Sequence, residues 1–537
     1  MMRAIFQRSV VVAGLALAGL LAACGPRGGT RPPCPPGEQC LNTGSTTEPF
    51  TLDPNKFQMS SEYDILRDLM VGLTAVDARG KVIPGMATSW TTSPDGLTWT
   101  FRLREARWSD GVPVTAADFV ESFRRIQDPS TASPYSYLLY PIKGAQEVNA
   151  GKAPREAVAV FAPDPRTLVL KLVQPTPHLP QILTYGGAMP VPVHALARWG
   201  DRWVEPGKYV SNGAYTLAAR MTGDRVVLRK NPSYWNAEKV CFDQVSYFAA
   251  TDLVSAERRV AAHELDTMAL FEPKRAPFLR KSMPGYIDPQ PMFWITYISF
   301  NAQVPALQDR RVRLAAAMGI DRTFITRKLS NIGQQPLYGF TPSGFEDYTN
   351  PPPPAWAAWP FERRLAAARE LMRQAGYTPE RPLRLELSYY ASFNRSIAAA
   401  VKADWRRIGL DVTLASAETQ IHYQNLNTRN FQIAFDGWTA DFADPITFLE
   451  LLRSTAGAQN HSGYASPRYD DLILRAENEP DAQRRLTLLN RAERLIMDDW
   501  PVAPIYVNTS AQIVNPALTG FYNNPLDIHP KEFVCRS

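Results

Sequence analysis

A chain of 537 residues with 58 basic and 52 acidic side chains carries a formal net charge of only +6. This charge is small for the length and no run of like charges occurs, so the basic stripe that nucleic-acid binding requires is excluded. The length exceeds what one hydrophobic core can serve, so we expect about two or three domains.

The N-terminal segment predicts an exported lipoprotein. Arg3 and Arg8 precede an uncharged apolar run that closes with the tetrapeptide LAAC at Cys24. A basic start, a short apolar stretch and small residues before the cut are typical of a cleaved secretory signal. Lipidation of Cys24 would supply the paired acyl chains that stable anchoring needs. We therefore predict a signal peptide over 1–23 and a mature chain anchored by lipid outside the cytoplasm; the alternative is an ordinary signal with an incidental cysteine.

Residues 24–37 are rich in Gly and Pro and predict a tether between the lipid and the folded body. Four further cysteines, Cys34, Cys40, Cys241 and Cys535, would lie in a compartment where disulfides persist. A local Cys34–Cys40 bridge is plausible and would leave Cys241 with Cys535, but the sequence alone does not decide between the three possible pairings. The spacing matches no structural zinc pattern, so we predict no metal site.

Strand and helix patterns follow in the first half of the chain. From Thr98 to Leu103 every second residue is large and apolar, which predicts a strand with one buried face, and the run from Leu168 to Leu172 repeats the pattern. Between them, Thr115 and Asp118 form a capping-box pair that predicts the start of an amphipathic helix ending before Pro129.

The second half alternates the same two kinds of element. Apolar residues at helical spacing predict one helix that ends at Gly376 and another that ends before Pro501. Three strand-like runs accompany them, at Leu383–Tyr389, Asp411–Leu414 and Phe431–Phe435. These patterns predict a mixed α/β fold.

No sequence motif indicates catalysis or a cofactor. The chain contains no phosphate-binding loop G-x-x-x-x-G-K-[ST], no zinc helix H-E-x-x-H and no nucleophile elbow G-x-S-x-G. We therefore predict neither a nucleotide site nor any cofactor.

One segment, FDGWTADFADP from Phe435 to Pro445, concentrates acidic and aromatic side chains. An enzyme could use two of its carboxylates as the acid and base of a glycosidase. A binding protein could use one as the counter-ion of a cationic ligand, with Trp438 walling the site. In a third interpretation Asp436 and Asp444 merely cap backbone in a turn. Residue chemistry alone leaves all three open.

Six motifs in a fixed order carry a resemblance to a known family. They are PGMATSW (84–90), DGLTWTFRLREARWSDGVPVTAADFVESFRRIQDPSTASPY (95–135), SNGAYTL (211–217), NPSYW (231–235), DRRVRLAAAMGIDR (309–322) and GWTADFADPITF (437–448). From about residue 42 onward the chain resembles the extracellular solute-binding proteins of family 5, most closely the oligopeptide-binding lipoproteins of peptide ABC importers.

The resemblance implies an α/β, two-lobed periplasmic-binding-protein fold of the class II type, with an extra third region and a hinge between the lobes. Lobe I would comprise 38–71, 193–293 and 509–537, with 72–192 as the additional region attached to it. Lobe II would be 294–508. Ligand would bind between the lobes and drive their closure by contacting both faces.

In this family a peptide lies extended in the cleft, and the aspartate of the G-W-x-A-D motif pairs with its α-ammonium. The resemblance assigns that role to Asp441. It also assigns ligand-facing backbone to Gly437 and Thr439 and an aromatic wall to Trp438.

On the opposite face, the segment Gln58-Met59-Ser60 resembles the peptide-pairing strand, and Tyr297 resembles an aromatic contact. Departures from the family pattern leave the preferred peptide length open. Phe435 stands where some members place an arginine for the peptide carboxylate, and Thr439 replaces a familiar cysteine.

The expected function is therefore the binding component of an importer, which captures oligopeptides outside the inner membrane and delivers them to a permease driven by a separate ATPase. We expect a monomer that catalyses nothing. The nearest alternative is a binder of another solute on the same scaffold, such as a murein peptide, a nickel chelate, haem or a sugar. A secreted hydrolase using Asp436, Asp441 or Asp444 is the alternative from another class.

Overall fold

The computed structural model describes residues 34–537. The signal peptide over 1–23, lipidation at Cys24 and most of the tether were predicted for residues that lie outside this range.

The strands of the described part are, in chain order, β1 Cys40–Ser45, β2 Thr74–Val76, β3 Val82–Pro84, β4 Ala87–Thr92, β5 Thr98–Leu103, β6 Val160–Asp164, β7 Thr167–Lys171, β8 Tyr215–Met221, β9 Arg225–Lys230, β10 Gln244–Ala249, β11 Thr267–Met268, β12 Pro291–Phe300, β13 Gln335–Pro336, β14 Leu383–Tyr390, β15 Leu410–Ala417, β16 Ile433–Thr439, β17 Val502–Thr509, β18 Ile513–Val514, β19 Leu518–Thr519 and β20 Cys535–Arg536.

The α-helices are α1 Ser60–Leu69, α2 Ala116–Gln127, α3 Ala145–Asn149, α4 Leu179–Ile182, α5 Val193–Trp199, α6 Leu253–Ala261, α7 Ala276–Ser282, α8 Pro305–Gln308, α9 Arg310–Met318, α10 Arg322–Phe324, α11 Phe361–Gln374, α12 Ala391–Arg406, α13 Thr419–Asn427, α14 Ile446–Leu449, α15 Pro467–Glu477 and α16 Ala482–Asp499. Within residues 34–537, no helix combines the length and the apolar character needed to cross a lipid bilayer.

Three larger sheets organise these elements. The first has the order β18-β11-β1-β10-β9-β8, with β1 running parallel to both of its neighbours. The second has the order β13-β17-β12-β16-β14-β15 and mixes antiparallel and parallel pairs. The third is antiparallel, with the order β4-β5-β7-β6. Mixed sheets with helices against them confirm the predicted α/β class.

The predicted capping box starts α2. The backbone N–H of Thr115 donates to Asp118 Oδ2 at 2.8 Å, which satisfies a donor that the first helical turn leaves unpaired. Phe119, Phe123 and Ile126 lie on one face of the helix and are at most 1 % exposed. Burying each side chain contributes roughly 1.5–3 kcal/mol. This packing holds the chain that follows α2, which forms part of the candidate site.

The other predicted elements are confirmed with shifted ends. The helix before Gly376 is α11, and Gly376 has a left-handed φ of +92°, as a helix stop requires. The strand expected over Phe431–Phe435 instead runs from Ile433 to Thr439. That extension carries the strand into the acidic and aromatic segment.

Two disulfides join the four cysteines of the described part. Cys34 bonds to Cys40, and Cys241 bonds to Cys535. The first closes a short loop beside β1. The second ties Cys535, the first residue of β20, to a residue 294 positions earlier in the chain.

Candidate functional site

Strand β16 has one edge without a strand partner over most of its length. It pairs with β12 along its whole extent, from Ile433 opposite Phe300 to Thr439 opposite Trp294. On the other side, β14 pairs only with Ile433 and Ala434. Within residues 34–537, the β14 side of β16 therefore has no strand partner from Phe435 onward, although the carbonyl of Phe435 is hydrogen-bonded to His422 Nε2 at 2.8 Å.

Alternation in the antiparallel pair identifies the backbone groups at this free edge. The N–H of Ala440 donates to the carbonyl of Phe293 at 2.7 Å. The backbone N–H and C=O groups of even-numbered residues of β16 therefore point toward β12, and those of odd-numbered residues point away from it. The N–H of Gly437 donates to Asp436 Oδ1 at 2.8 Å. The carbonyl of Gly437 and both backbone groups of Thr439 therefore point to the free edge.

Asp441 lies just beyond the end of this strand and is half-buried. Its N–H lies 3.3 Å from Thr447 Oγ1, and its Oδ2 lies 3.5 Å from the hydroxyl of Tyr137. No lysine, arginine or histidine of residues 34–537 forms an ion pair with it. Burial raises the pKa of Asp441 to about 7, opposed only by the Tyr137 hydroxyl. A half-buried carboxylate that lacks a basic partner is stabilised by an approaching cation.

Trp438 is held beside Asp441. Its Nε1 donates toward Thr447 Oγ1 at 3.4 Å, and its ring is half-buried against the core. Thr447 lies in α14, so one short helix positions both the indole and the Asp441 backbone.

Three half-buried tyrosines, Tyr135, Tyr137 and Tyr185, form a group that meets Asp441 at the Tyr137 hydroxyl. Tyr137 lies in a short 3₁₀ turn, Ser136–Leu139, and Tyr135 is the residue before that turn. The rings of Tyr135 and Tyr185 lie 5.0 Å apart, and those of Tyr135 and Tyr137 lie 6.2 Å apart. Sequence reasoning missed this tyrosine group, although the motif over 95–135 ended on its first member.

Asp436 lies in a strand, so the predicted turn is wrong for this residue, although its Oδ1 does accept from the neighbouring Gly437 N–H. It lies in β16, is 1 % exposed, and accepts hydrogen bonds from Ser299 Oγ at 2.8 Å and His461 Nδ1 at 2.7 Å. Burial alone would raise the pKa of Asp436, but His461 and the hydrogen bonds outweigh it and hold that pKa below its usual value. The carboxylate is fully engaged inside the protein.

Asp444 is engaged in the same way. Its Oδ1 accepts from the N–H of Ile446 at 3.0 Å, which confirms the predicted backbone cap ahead of Pro445. Both carboxylate oxygens also accept from Arg485 at 2.8 Å, with both side chains buried. Neither Asp436 nor Asp444 is available as a general acid or base, which leaves the hydrolase interpretation without its pair of free carboxylates.

The opposite face differs from the expectation for Gln58-Met59-Ser60. The structure has no strand there, because Ser60 already begins α1 and Met59 is its N-cap. The N–H groups of Gln58 and Met59 donate to Glu62 Oε2 at 2.7 and 3.0 Å, so they are not free for a peptide. The Gln58 side chain is exposed, and the backbone carbonyl of Gln58 accepts from the Tyr135 hydroxyl at 3.2 Å.

Tyr297 lies in β12, directly opposite Asp436 in the ladder, and is 3 % exposed. Its ring meets Phe340 edge-on at 5.1 Å. Burial, followed by the Asp436 charge, raises the pKa of Tyr297 far above its usual value. The structure therefore places this side chain in the packed interior, away from the free edge of β16.

Known proteins share this architecture. The model of the bacterial extracellular solute-binding proteins, family 5 Middle, matches residues 81–460. The periplasmic oligopeptide-binding protein OppA of Escherichia coli strain K12 is 35% identical over 97% of this chain and 97% of its own. The periplasmic murein peptide-binding protein MppA of the same strain is 36% identical over 90% of each chain.

The solved structure of the Escherichia coli murein tripeptide binding protein MppA has a TM-score of 0.79 at 34% identity. It covers 93% of this chain and 99% of that one. This agreement confirms the predicted two-lobed α/β fold.

Proposed function

Because the chain belongs to the bacterial extracellular solute-binding proteins of family 5, we propose that it binds oligopeptides and delivers them to the permease of an ABC importer. The similar proteins OppA and MppA are periplasmic binding proteins, so the site of action is outside the cytoplasm. Anchoring through Cys24, a separate ATPase and a monomeric state complete the proposal.

The observation that carries the proposal is the free edge of β16 ending at an unpaired carboxylate. An extended peptide can add to such an edge through main-chain hydrogen bonds, which give affinity whatever the side chains are. Gly437 and Thr439 would supply the backbone groups and Trp438 the wall. Asp441, just past the strand end, would then meet the α-ammonium of the peptide.

Electrostatics favour this role for Asp441. An ammonium and a carboxylate enclosed together are each desolvated, and removing one partner of such a pair costs roughly 3–5 kcal/mol. A micromolar ligand is bound with only about 8 kcal/mol. One carboxylate can therefore decide whether the ligand binds.

The proposed lobes are 38–71 with 193–293 and 509–537, then 72–192 as the attached region, and 294–508. Sheet membership supports this division. The first sheet draws all its strands from the first set, the third sheet from 72–192, and the second sheet from about 291–509.

Other ligands and catalysis fit the site less well. An unpaired half-buried carboxylate disfavours neutral or anionic solutes such as a sugar or haem, because nothing would compensate its charge. A murein peptide stays the second candidate, since MppA carries that name and such a ligand could also present an amino group. We propose no catalytic activity, because Asp436 and Asp444 are already bound by His461 and Arg485.

Native mass spectrometry of the purified protein tests the ligand class, since co-purified cargo would be identified by its mass. Calorimetry with alanine tri- and tetrapeptides tests the site, with acetylated peptides as the matched control that lacks the ammonium. We expect binding of the free peptides only. Equal binding of the acetylated peptides would contradict the role of Asp441, and absence of any peptide binding would contradict the function.

A further inference from the structure

A second cavity, of about 440 Å³, lies between the region 72–192 and the turn 231–235. Arg104, Arg107 and Arg166 line one side of it, and Ser233 and Trp235 line the other. Its volume falls in the range of sites for small molecules, roughly 300–1,000 Å³. The proposed peptide site along β16 uses none of these residues.

The guanidinium of Arg104 lacks a polar partner in this cavity. It lies over the exposed ring of Trp235, with Cζ 3.6 Å from the ring centroid. Its Nε is buried without a hydrogen bond, and within residues 34–537 the guanidinium forms no ion pair. Burial lowers the pKa of Arg104, opposed by Tyr234 and then by Glu532. A desolvated charged donor without an acceptor is costly, so an anion that accepts from it would stabilise it.

Two more arginines bring further positive charge to the same space. Nη1 of Arg107 donates to the carbonyl of Gly111 at 2.8 Å, and Arg166 pairs with Glu105. Among the described residues that line the cavity, Glu105 is the only acid. Three arginines and one glutamate leave an excess of two positive charges. A phosphate monoester, which carries about −1.5 to −2 at pH 7, would balance that excess.

The turn that carries Ser233 and Trp235 is fixed from inside the protein. Asn231 is 0 % exposed, and its Nδ2 donates to the carbonyl of Gly213 at 2.9 Å. Its Oδ1 accepts from the N–H of Ser233 at 3.0 Å, which closes the turn. Trp235 is therefore held in place before any ligand arrives, and such preorganisation lowers the cost of binding.

We propose that this cavity is a second ligand site, which takes a phosphate group against Arg104, Arg107 and Arg166. Guanidinium groups present paired donors whose geometry matches phosphate oxygens. Trp235 and Pro165 would contact the apolar part of the ligand. Both a soluble phosphate ester and an anionic lipid headgroup carry such a group, and the probes below separate the two sources.

Calorimetry with glycerol 3-phosphate at low salt tests for a soluble ester. We expect the wild type to bind it with a Kd of about 1 mM or tighter. Arg104→Gln should weaken binding at least about tenfold, because it removes the unpartnered charged donor. Arg107 is exposed, so Arg107→Gln should weaken binding without affecting the fold, and it tests the site even if Arg104→Gln is unstable.

Arg102→Gln is the matched control. Arg102 carries the same charge two residues before Arg104, but it contacts Thr167 and does not line the cavity. We expect this variant to bind glycerol 3-phosphate as the wild type does.

Dihexanoyl phosphatidylglycerol, kept below its critical micelle concentration, tests the lipid headgroup in the same calorimetry. Dihexanoyl phosphatidylcholine is the control without net charge. A preference for the phosphatidylglycerol that Arg104→Gln removes and Arg102→Gln keeps would assign the site to a lipid headgroup.

Binding of either phosphate probe that depends on Arg104 would support the site and identify its source. No binding of either probe, equal binding by the wild type and Arg104→Gln, or equal weakening by Arg104→Gln and Arg102→Gln would overturn it. Arg104→Gln should bind alanine tripeptides as the wild type does, because the cavity lies apart from β16. The two sites can therefore fail independently.

Discussion

The hydroxyl of Tyr137 lies 3.5 Å from Asp441 Oδ2, although the two residues are 304 positions apart in the chain. Tyr137 follows α2, the helix that packs on the third sheet, whereas Asp441 follows β16, a strand of the second sheet. The contact therefore joins the region 72–192 to the region 294–508, beside the free edge of β16 where we propose that the ligand binds. At 3.5 Å it is a weak hydrogen bond, which an ammonium group could displace or join.

Replacing Asp441 by Ala should abolish useful peptide affinity while the fold stays intact. The expected loss is roughly 3–5 kcal/mol, because the ligand ammonium would be left desolvated and unpaired. Calorimetry measures the loss, and the thermal melting of the empty protein checks the fold. Tyr137→Phe is the matched control, since it removes only a weak partner of the same carboxylate. Unchanged tripeptide binding by Asp441→Ala would refute its role.

Peptide affinity should rise with pH between about 5 and 7.5. The pKa of Asp441 in the empty protein is raised to about 7, so below that pH the group is mainly protonated and must lose its proton to pair with an ammonium. The affinity should fall by up to about tenfold for each pH unit below 7. Titration calorimetry across this range measures it, and Asp441→Asn should show a flat profile. A wild-type profile as flat as that of the variant would contradict the prediction.

Arg485→Ala should destabilise the protein by roughly 3–5 kcal/mol, because it leaves the buried carboxylate of Asp444 without its partner. The neighbouring residue offers a matched control. Arg484 pairs with Glu479 at the surface, and Arg484→Ala should change the stability little. Chemical denaturation compares the two variants, and equal effects would show that burial of the Asp444–Arg485 pair is unimportant.

The buried His461–Asp436 pair should make stability depend on pH. Burial lowers the pKa of His461, but Asp436 outweighs burial and raises that pKa above its usual value. A histidine whose pKa is raised by folding stabilises the folded state when it is protonated. This stabilisation is complete below the pKa of histidine in the unfolded chain, about 6.5, and is lost as pH rises through the pKa in the folded protein. Thermal melts from pH 5.5 to 9 should therefore show the wild type losing its advantage over His461→Gln as pH rises. A stability advantage of the wild type that grows with pH would contradict the prediction.

Removing the Cys241–Cys535 disulfide should cost more stability than removing Cys34–Cys40. The first joins residues 294 apart and the second residues 6 apart. From loop-closure entropy, the expected loss in the free energy of unfolding is roughly 5–6 kcal/mol for Cys241–Cys535 and roughly 2 kcal/mol for Cys34–Cys40. Paired Cys→Ser variants compared by thermal melting test the order. A larger loss for the short loop would show that the closed-loop length does not decide the effect.

Local signals predicted the elements of this fold well, and long-range pairing explains what they missed. The capping box of Thr115 and Asp118 operates within one helical turn, so the sequence was sufficient to locate α2. The extension of β16 to Thr439 depends on its pairing with β12, more than a hundred residues earlier, and the run DGWT has no alternation of apolar and polar residues that would predict a strand.

In the candidate site, too, local sequence signals predicted some roles, and long-range contacts decide the others. Asp441 was predicted from a motif, whereas the roles of Asp436 and Asp444 depend on His461 and Arg485, which the chain brings to them from 25 and 41 positions away. Glu62 was also beyond prediction. Its carboxylate accepts hydrogen bonds from the N–H groups of Gln58 and Met59, so the segment that resembled a pairing strand forms the start of α1 instead.

The hydrogen bond from the Gly437 N–H to Asp436 has a consequence for alignment. With that donor already occupied, the Thr439 N–H is the one backbone donor that the outer side of the Gly437-to-Thr439 stretch can offer to an incoming carbonyl. A guest chain displaced by two residues would offer its next carbonyl of the same orientation to that donor, because an extended chain repeats every two residues. The single donor therefore decides which alternate set of guest carbonyls turns toward β16, and the charge of the first residue beside Asp441 would set the frame.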